Sequence, residues 1–190
     1  MDTTRKLEED VAFVRQAVES RDQKQYTSIA IAVVWAVIIA VGFTLNDFKN
    51  QASGTFWLIA PMVGFFLSLW LGKKGQQDCG VENRSDMRKH TMHWGSLFVI
   101  SAVVMSIAFT HKFEGWVIGQ LFTLLSGVAL FFGGLHLDRR FLLPGAVLII
   151  GAAALDYLAP YPWTTVGLVT SASLIISAIW MRPAYEKATD

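Results

Sequence analysis

The chain has 190 residues, 53% hydrophobic and only 16% charged, with a formal net charge of +1 and a mean hydropathy of +0.43. A soluble domain carries about 25% charged residues, so the composition excludes an ordinary soluble domain, and the near-neutral charge excludes an electrostatic footing for nucleic acid. A single cysteine, Cys79, excludes both an internal disulfide framework and a cysteine metal cluster.

Residues 1–26 form the first unit. They hold no apolar segment before Thr27, so they do not read as a cleavable leader, and the first span is expected to act as its own insertion signal. Leu7, Val11, Val14 and Val18 recur at helical spacing and define an apolar stripe on a cytoplasmic amphipathic helix. Four uses suit such a stripe: docking a membrane or cytoplasmic protein, pairing with a second copy, packing under its own bundle, or lying along the bilayer surface. The acidic residues of the segment weaken the last, since adsorption to anionic lipid favours a Lys/Arg-rich face.

Six apolar runs follow, at 27–45, 54–71, 91–109, 115–135, 141–159 and 163–181. A helix needs about 20 apolar residues to cross a bilayer, so each run is expected to span. The chain therefore reads as an all-α integral membrane protein, with six transmembrane helices arranged as three hairpins in a bundle over 27–181. A cytoplasmic tail, 182–190, follows. Residues 73–89, KKGQQDCGVENRSDMRK, are polar and aperiodic and read as a solvated loop.

Orientation follows from lysine and arginine. Arg5, Lys6, Arg15, Arg21, Lys24, Lys73, Lys74, Arg84, Arg88, Lys89, Arg139, Arg140, Arg182 and Lys187 fall on one side of this topology, and only Lys49 and Lys112 on the other. The positive-inside rule then places both termini in the cytoplasm. Trp57, Trp116 and Trp163 fall at outer boundaries and Trp70, Trp94 and Trp180 at inner ones, as expected of indoles at a membrane interface. The layout is similar to that of small bacterial inner-membrane proteins, a likeness without a motif, and it implies that membrane as the location.

The sequence contains no phosphate loop, dinucleotide fingerprint, HExxH or GxSxG. Polar groups near the spans carry what chemistry there is. His90 and His93 share a helix face, and His136 with Asp138 is expected at the same depth, a donor set suited to a metal ion or haem. Asp156 is the one acidic residue inside an expected span, with Gln120 at comparable depth; together they suggest an ion or proton path, or a structural tie that also draws on Tyr161 or Thr164. Gly115, Gly119, Gly127, Gly133, Gly134 and Gly151 mark close helix approaches, within the bundle or between copies of a homo-oligomer.

The leading expectation is a non-enzymatic membrane subunit, without a cofactor, that works by contact as an accessory, assembly or regulatory component. Its supports are the amphipathic segment, the small-residue helix faces and an expected poverty of buried polar groups. A small transporter or channel using Asp156 and Gln120, and a metal- or haem-binding protein using His90, His93 and His136, are the alternatives. The topology is directly testable: reporter fusions at positions 50, 112 and 160 should read as external, and fusions at 80 and 138 as cytoplasmic. An external signal at 80 would overturn the map.

Overall fold

The computed structural model describes residues 2–48, 50–79 and 84–180. Every element among them is helical: α1 (Asp2–Phe48), α2 (Asn50–Cys79), α3 (Arg84–Thr110), α4 (Gly115–His136), α5 (Leu142–Ala154) and α6 (Pro162–Trp180), with 3-10 turns at Arg139–Phe141 and Leu155–Tyr157. Six stretches are long and apolar enough to cross a membrane: Ile29–Phe48, Gln51–Lys74, Arg88–Thr110, Gly115–His136, Arg139–Tyr157 and Pro162–Trp180. Helices suit such a sequence because their backbone N–H and C=O groups pair within the segment and leave none to hydrocarbon.

Two boundaries differ from the hydropathy reading. α1 shows no break near residue 27, because no glycine or proline occurs between positions 2 and 41 to interrupt its hydrogen-bond ladder. Residues 73–89 are mostly helical rather than a loop: α2 continues to Cys79 and α3 begins at Arg84. Loss of hydropathy marks where a helix leaves the apolar layer, not where it ends. Lys and Gln sustain a helix in water nearly as well as Leu does. The side chains of Leu7, Val18 and Cys79, and the tail 182–190, lie outside the described residues.

Packing centres on α6, which lies against α1 and α5. Phe43, Leu148, Leu155, Trp163 and Val166 form the buried core, flanked by Ile39, Trp57, Leu130 and Leu158. Small residues set the helix separations. A Cβ at Gly127 would stand 2.8 Å from the backbone nitrogen of Ile149, one at Gly134 2.6 Å from that of Leu142, and one at Gly151 2.6 Å from Val166 Cγ1. Gly119 faces the Trp163 ring at 2.8 Å and Gly133 faces His93 Nε2 at 3.1 Å. Gly167, which sequence reading overlooked, is pressed against Phe43 of α1. Gly115 is the exception. At the first position of α4 an added Cβ would meet nothing within 4 Å, so it is not a packing glycine. The GWVIG spacing suggested a pair, but the rim of the bundle leaves its first member uncovered.

Cover is uneven. Half of the most apolar window of α6 is buried inside the chain, against 6% for the corresponding windows of α2 and α3. Close approach in lipid is stabilised mainly by dispersion between backbones, so overpacking at the tight glycines should be costly. Gly134→Ala should lower the thermal midpoint in detergent by the equivalent of about 1–3 kcal/mol, whereas Gly115→Ala should leave it unchanged or slightly raised. Equal midpoints for the two variants would contradict the packing described.

Candidate functional site

Polar and aromatic groups gather at both ends of the bundle. At one end the C-terminus of α1 meets the N-termini of α2 and α6. The Asp47 carboxylate accepts the backbone N–H of Thr164 at 2.7 Å and that of Trp163 at 3.4 Å, so α1 caps α6. The cap has to come from another helix because α6 opens with Tyr161-Pro162, and neither side chain can accept an N–H in that position. A carboxylate is also favoured there by the helix dipole. Beside it the Asn46 side-chain oxygen accepts from Ser53 Oγ and from Trp57 Nε1, the latter at 3.3 Å, joining α1 to α2.

Aromatic rings knit this end together. Phe43 meets Trp57 and Trp163 edge-on at 5.5 and 5.6 Å, and Trp163 meets Trp116 at 5.0 Å. Trp116 donates Nε1–H to Asp156 Oδ1 at 3.0 Å, while Gln120 Nε2 donates to Asp156 Oδ2 at 3.3 Å and to the Ala152 carbonyl at 2.8 Å. The expected meeting of Asp156 with Gln120 is therefore present. Trp116, not Tyr161 or Thr164, supplies the second bond, and the backbone N–H of Thr164 goes to Asp47. Asp156 itself is exposed, in the 3-10 turn that ends α5.

At the opposite end, α3, α4 and the turn Arg139–Phe141 converge. His93 and His136 come together, their ring centroids 5.8 Å apart. His93 Nε2 lies 3.0 Å from the Ala129 carbonyl, a bond that ties α3 to α4. The Asp138 carboxylate is turned to its own loop, where Oδ1 accepts the Arg140 backbone N–H at 3.0 Å and Oδ2 stands 3.7 Å from Arg140 Nε. His90 is half-buried on α3, one turn from His93. No group of three or more His, Cys, Asp or Glu side chains is arranged to hold a metal ion among the described residues. The histidine pair is real geometry; a ligand set that includes Asp138 is not assembled, because the loop backbone and Arg140 engage its carboxylate.

Between the two ends, α6 carries polar groups into the core. Ser53, Thr123, Thr170, Ser171, Ser173 and Ser177 are all buried, which corrects the expected poverty of buried polar groups. Hydropathy averages hide them, since a serine among isoleucines barely changes a window. Ser171 Oγ donates to the Ala36 carbonyl of α1 at 2.7 Å and Ser173 Oγ to the Thr170 carbonyl at 2.7 Å. The hydroxyls of Thr164, Thr170 and Ser177 are buried without a hydrogen-bond partner among the described residues, as are Nε and Nη1 of Arg140. The stripe from Thr170 to Ser177 was visible in the sequence as hydroxyl residues at helical spacing on one face. Asp47 was signalled by an acid directly after an apolar run, together with a later helix that lacks a cap of its own.

On the other side of the ledger stands the N-terminal stripe. Val11 and Val14 are 62% and 59% exposed, with Phe13 between them at 72%, so this part of α1 is not covered by the bundle.

These features define an all-helical membrane protein with six helices able to span a bilayer. Comparison with protein-family models, with curated proteins and with solved structures gives no match. The capping role of Asp47 is checkable in isolation: Asp47→Ala should destabilise the folded bundle by about 1 kcal/mol, within the 0.5–2 kcal/mol seen for lost helix caps. Asp47→Asn, which keeps an acceptor, should retain most of the stability. Thermal unfolding followed by circular dichroism in one detergent measures both.

Proposed function

We propose that this chain is a non-enzymatic membrane subunit that acts by contact, as an accessory, assembly or regulatory component of the bacterial inner membrane. In this reading its spans form three hairpins, α1–α2, α3–α4 and α5–α6. Both termini are cytoplasmic, and the N-terminal part of α1 is an amphipathic docking arm. The carrying observation is the uneven cover of the apolar surface. α6 is half-buried in the chain's own core, while α2 and α3 are 6% buried and Val11, Phe13 and Val14 are open. The chain stabilises itself through α1, α4, α5 and α6 and leaves two further apolar faces for lipid and for another protein.

The polar groups near the ends support the same reading. Asp156 accepts from both Gln120 and Trp116 of α4, an arrangement suited to tying α4 to the end of α5 rather than to lining a path. His93 is engaged with the Ala129 carbonyl, which suits an interhelical anchor better than an open metal or haem ligand.

Val11→Asp together with Val14→Asp tests the docking arm. Purification of the full chain in mild detergent should lose a subunit that co-purifies stoichiometrically with wild type, while the thermal midpoint of the bundle stays the same. Full recovery of that subunit with the double variant would move the contact to the α2 and α3 faces or refute it.

A further inference from the structure

The Arg140 guanidinium has hydrogen-bonding capacity that the described residues do not use, and its charge meets one carboxylate, Asp138, at a distance. Its side chain is 11% exposed, and Nε and Nη1 are both buried without a hydrogen-bond partner. Asp138 lies 3.7 Å from Nε, close enough for charge attraction but too far for a good hydrogen bond, and its other oxygen is committed to the Arg140 backbone. A buried cation left short of partners is costly, so this position calls for an anion from outside the described residues.

Its depth says which kind. Arg140 lies at the start of a candidate span, Arg139–Tyr157. Gly151 of α5 packs on Val166 of α6, and the two helices run in opposite directions. Counting back at a common rise per residue puts Arg140 at about the level of Ser177, whose hydroxyl is also buried and unpartnered. Trp94 packs against Phe141 at 5.6 Å beside it, and Trp180 is 80% exposed three residues beyond Ser177. Indoles at this level mark the headgroup layer. Arg139 on the same turn and His136 at the end of α4 are exposed and add donors at its rim. An arginine fork matches the oxygens of a phosphate bidentately.

We propose that the turn Arg139–Phe141 is a binding site for the phosphate of an anionic phospholipid, held by the Arg140 guanidinium with Arg139 and His136 at the rim. In the bound state the phosphate accepts from the guanidinium N–H groups that are otherwise unpartnered. The site does not depend on the contact-based function.

Native mass spectrometry of the delipidated full chain, titrated separately with phosphatidylglycerol, phosphatidylcholine and inorganic phosphate, tests it. Wild type should bind phosphatidylglycerol about tenfold more tightly than phosphatidylcholine, because both present the phosphodiester but the choline cation of the second is repelled by Arg139 and Arg140. Arg140→Gln should remove that preference, and Arg140→Lys, which keeps the charge without the fork, should fall between. Wild type that does not distinguish the two lipids overturns the proposal, whether or not Arg140→Gln folds. So does a folded Arg140→Gln that keeps the full preference. Inorganic phosphate that binds as tightly as phosphatidylglycerol would assign the site to a free anion and overturn the lipid assignment.

Discussion

In hydrocarbon no water is available to a polar group, so each such group must be answered by another part of the chain or carry its desolvation cost. α6 is the element on which this constraint falls hardest, because it is the most buried helix and also carries most of the buried hydroxyls. Its solution is distributed over its neighbours. Asp47 of α1 accepts from its first N–H groups, the Ala36 carbonyl of α1 accepts from Ser171, and Gly167 lets the two backbones come close enough for both bonds to form. Remove the close approach and the hydrogen bonds lengthen; remove the hydrogen bonds and the buried hydroxyls become liabilities.

The same logic divides the molecule. Around α6, helices α1, α4 and α5 interlock through small residues and short polar bonds. α2 touches this assembly mainly along α1, where Trp35 Nε1 donates to Ser68 Oγ at 3.0 Å and Gly64 accommodates Ile38. α3 is held to α4 by His93 and to α2 by the edge-on rings of Phe65 and Phe98, 5.6 Å apart. α2 is packed along α1, whereas α3 has few contacts beyond α4, so α3 is the least expensive element to displace. An element that is cheap to move and apolar on its outer face is suited to respond to a neighbour in the membrane.

The two ends of the bundle also differ in chemistry. At the Asp47 end the carboxylates are engaged: Asp47 with the start of α6, Asp156 with an indole and an amide. At the Arg140 end two guanidinium nitrogens and the Ser177 hydroxyl have no hydrogen-bond partner among the described residues. The first end is organised from within. The second is open to the phospholipid phosphate proposed above.

Much of this was legible in the sequence. Apolar runs of bilayer length identified six membrane-crossing helices, since length and hydropathy are local properties and no tertiary contact is needed to read them. Pairings between groups at one depth, such as Asp156 with Gln120 and His93 with His136, were also readable, because a span order and a rise per residue place residues along the membrane normal. Helix ends in water were not, since residues 73–79 and 84–89 lose hydropathy while their backbone remains helical. Azimuth was not either. Which faces of α1 and α6 meet, that Gly115 meets nothing while Gly167 meets Phe43, and that Asp47 caps a helix 116 positions away all depend on rotations about helix axes. In lipid those rotations are set by the shape of the contact surfaces rather than by hydrophobicity, which is equal on every side of an apolar helix. The sequence by itself determined how many helices are long and apolar enough to cross a membrane, because length and hydropathy are local; only the packed structure decided which residues face one another.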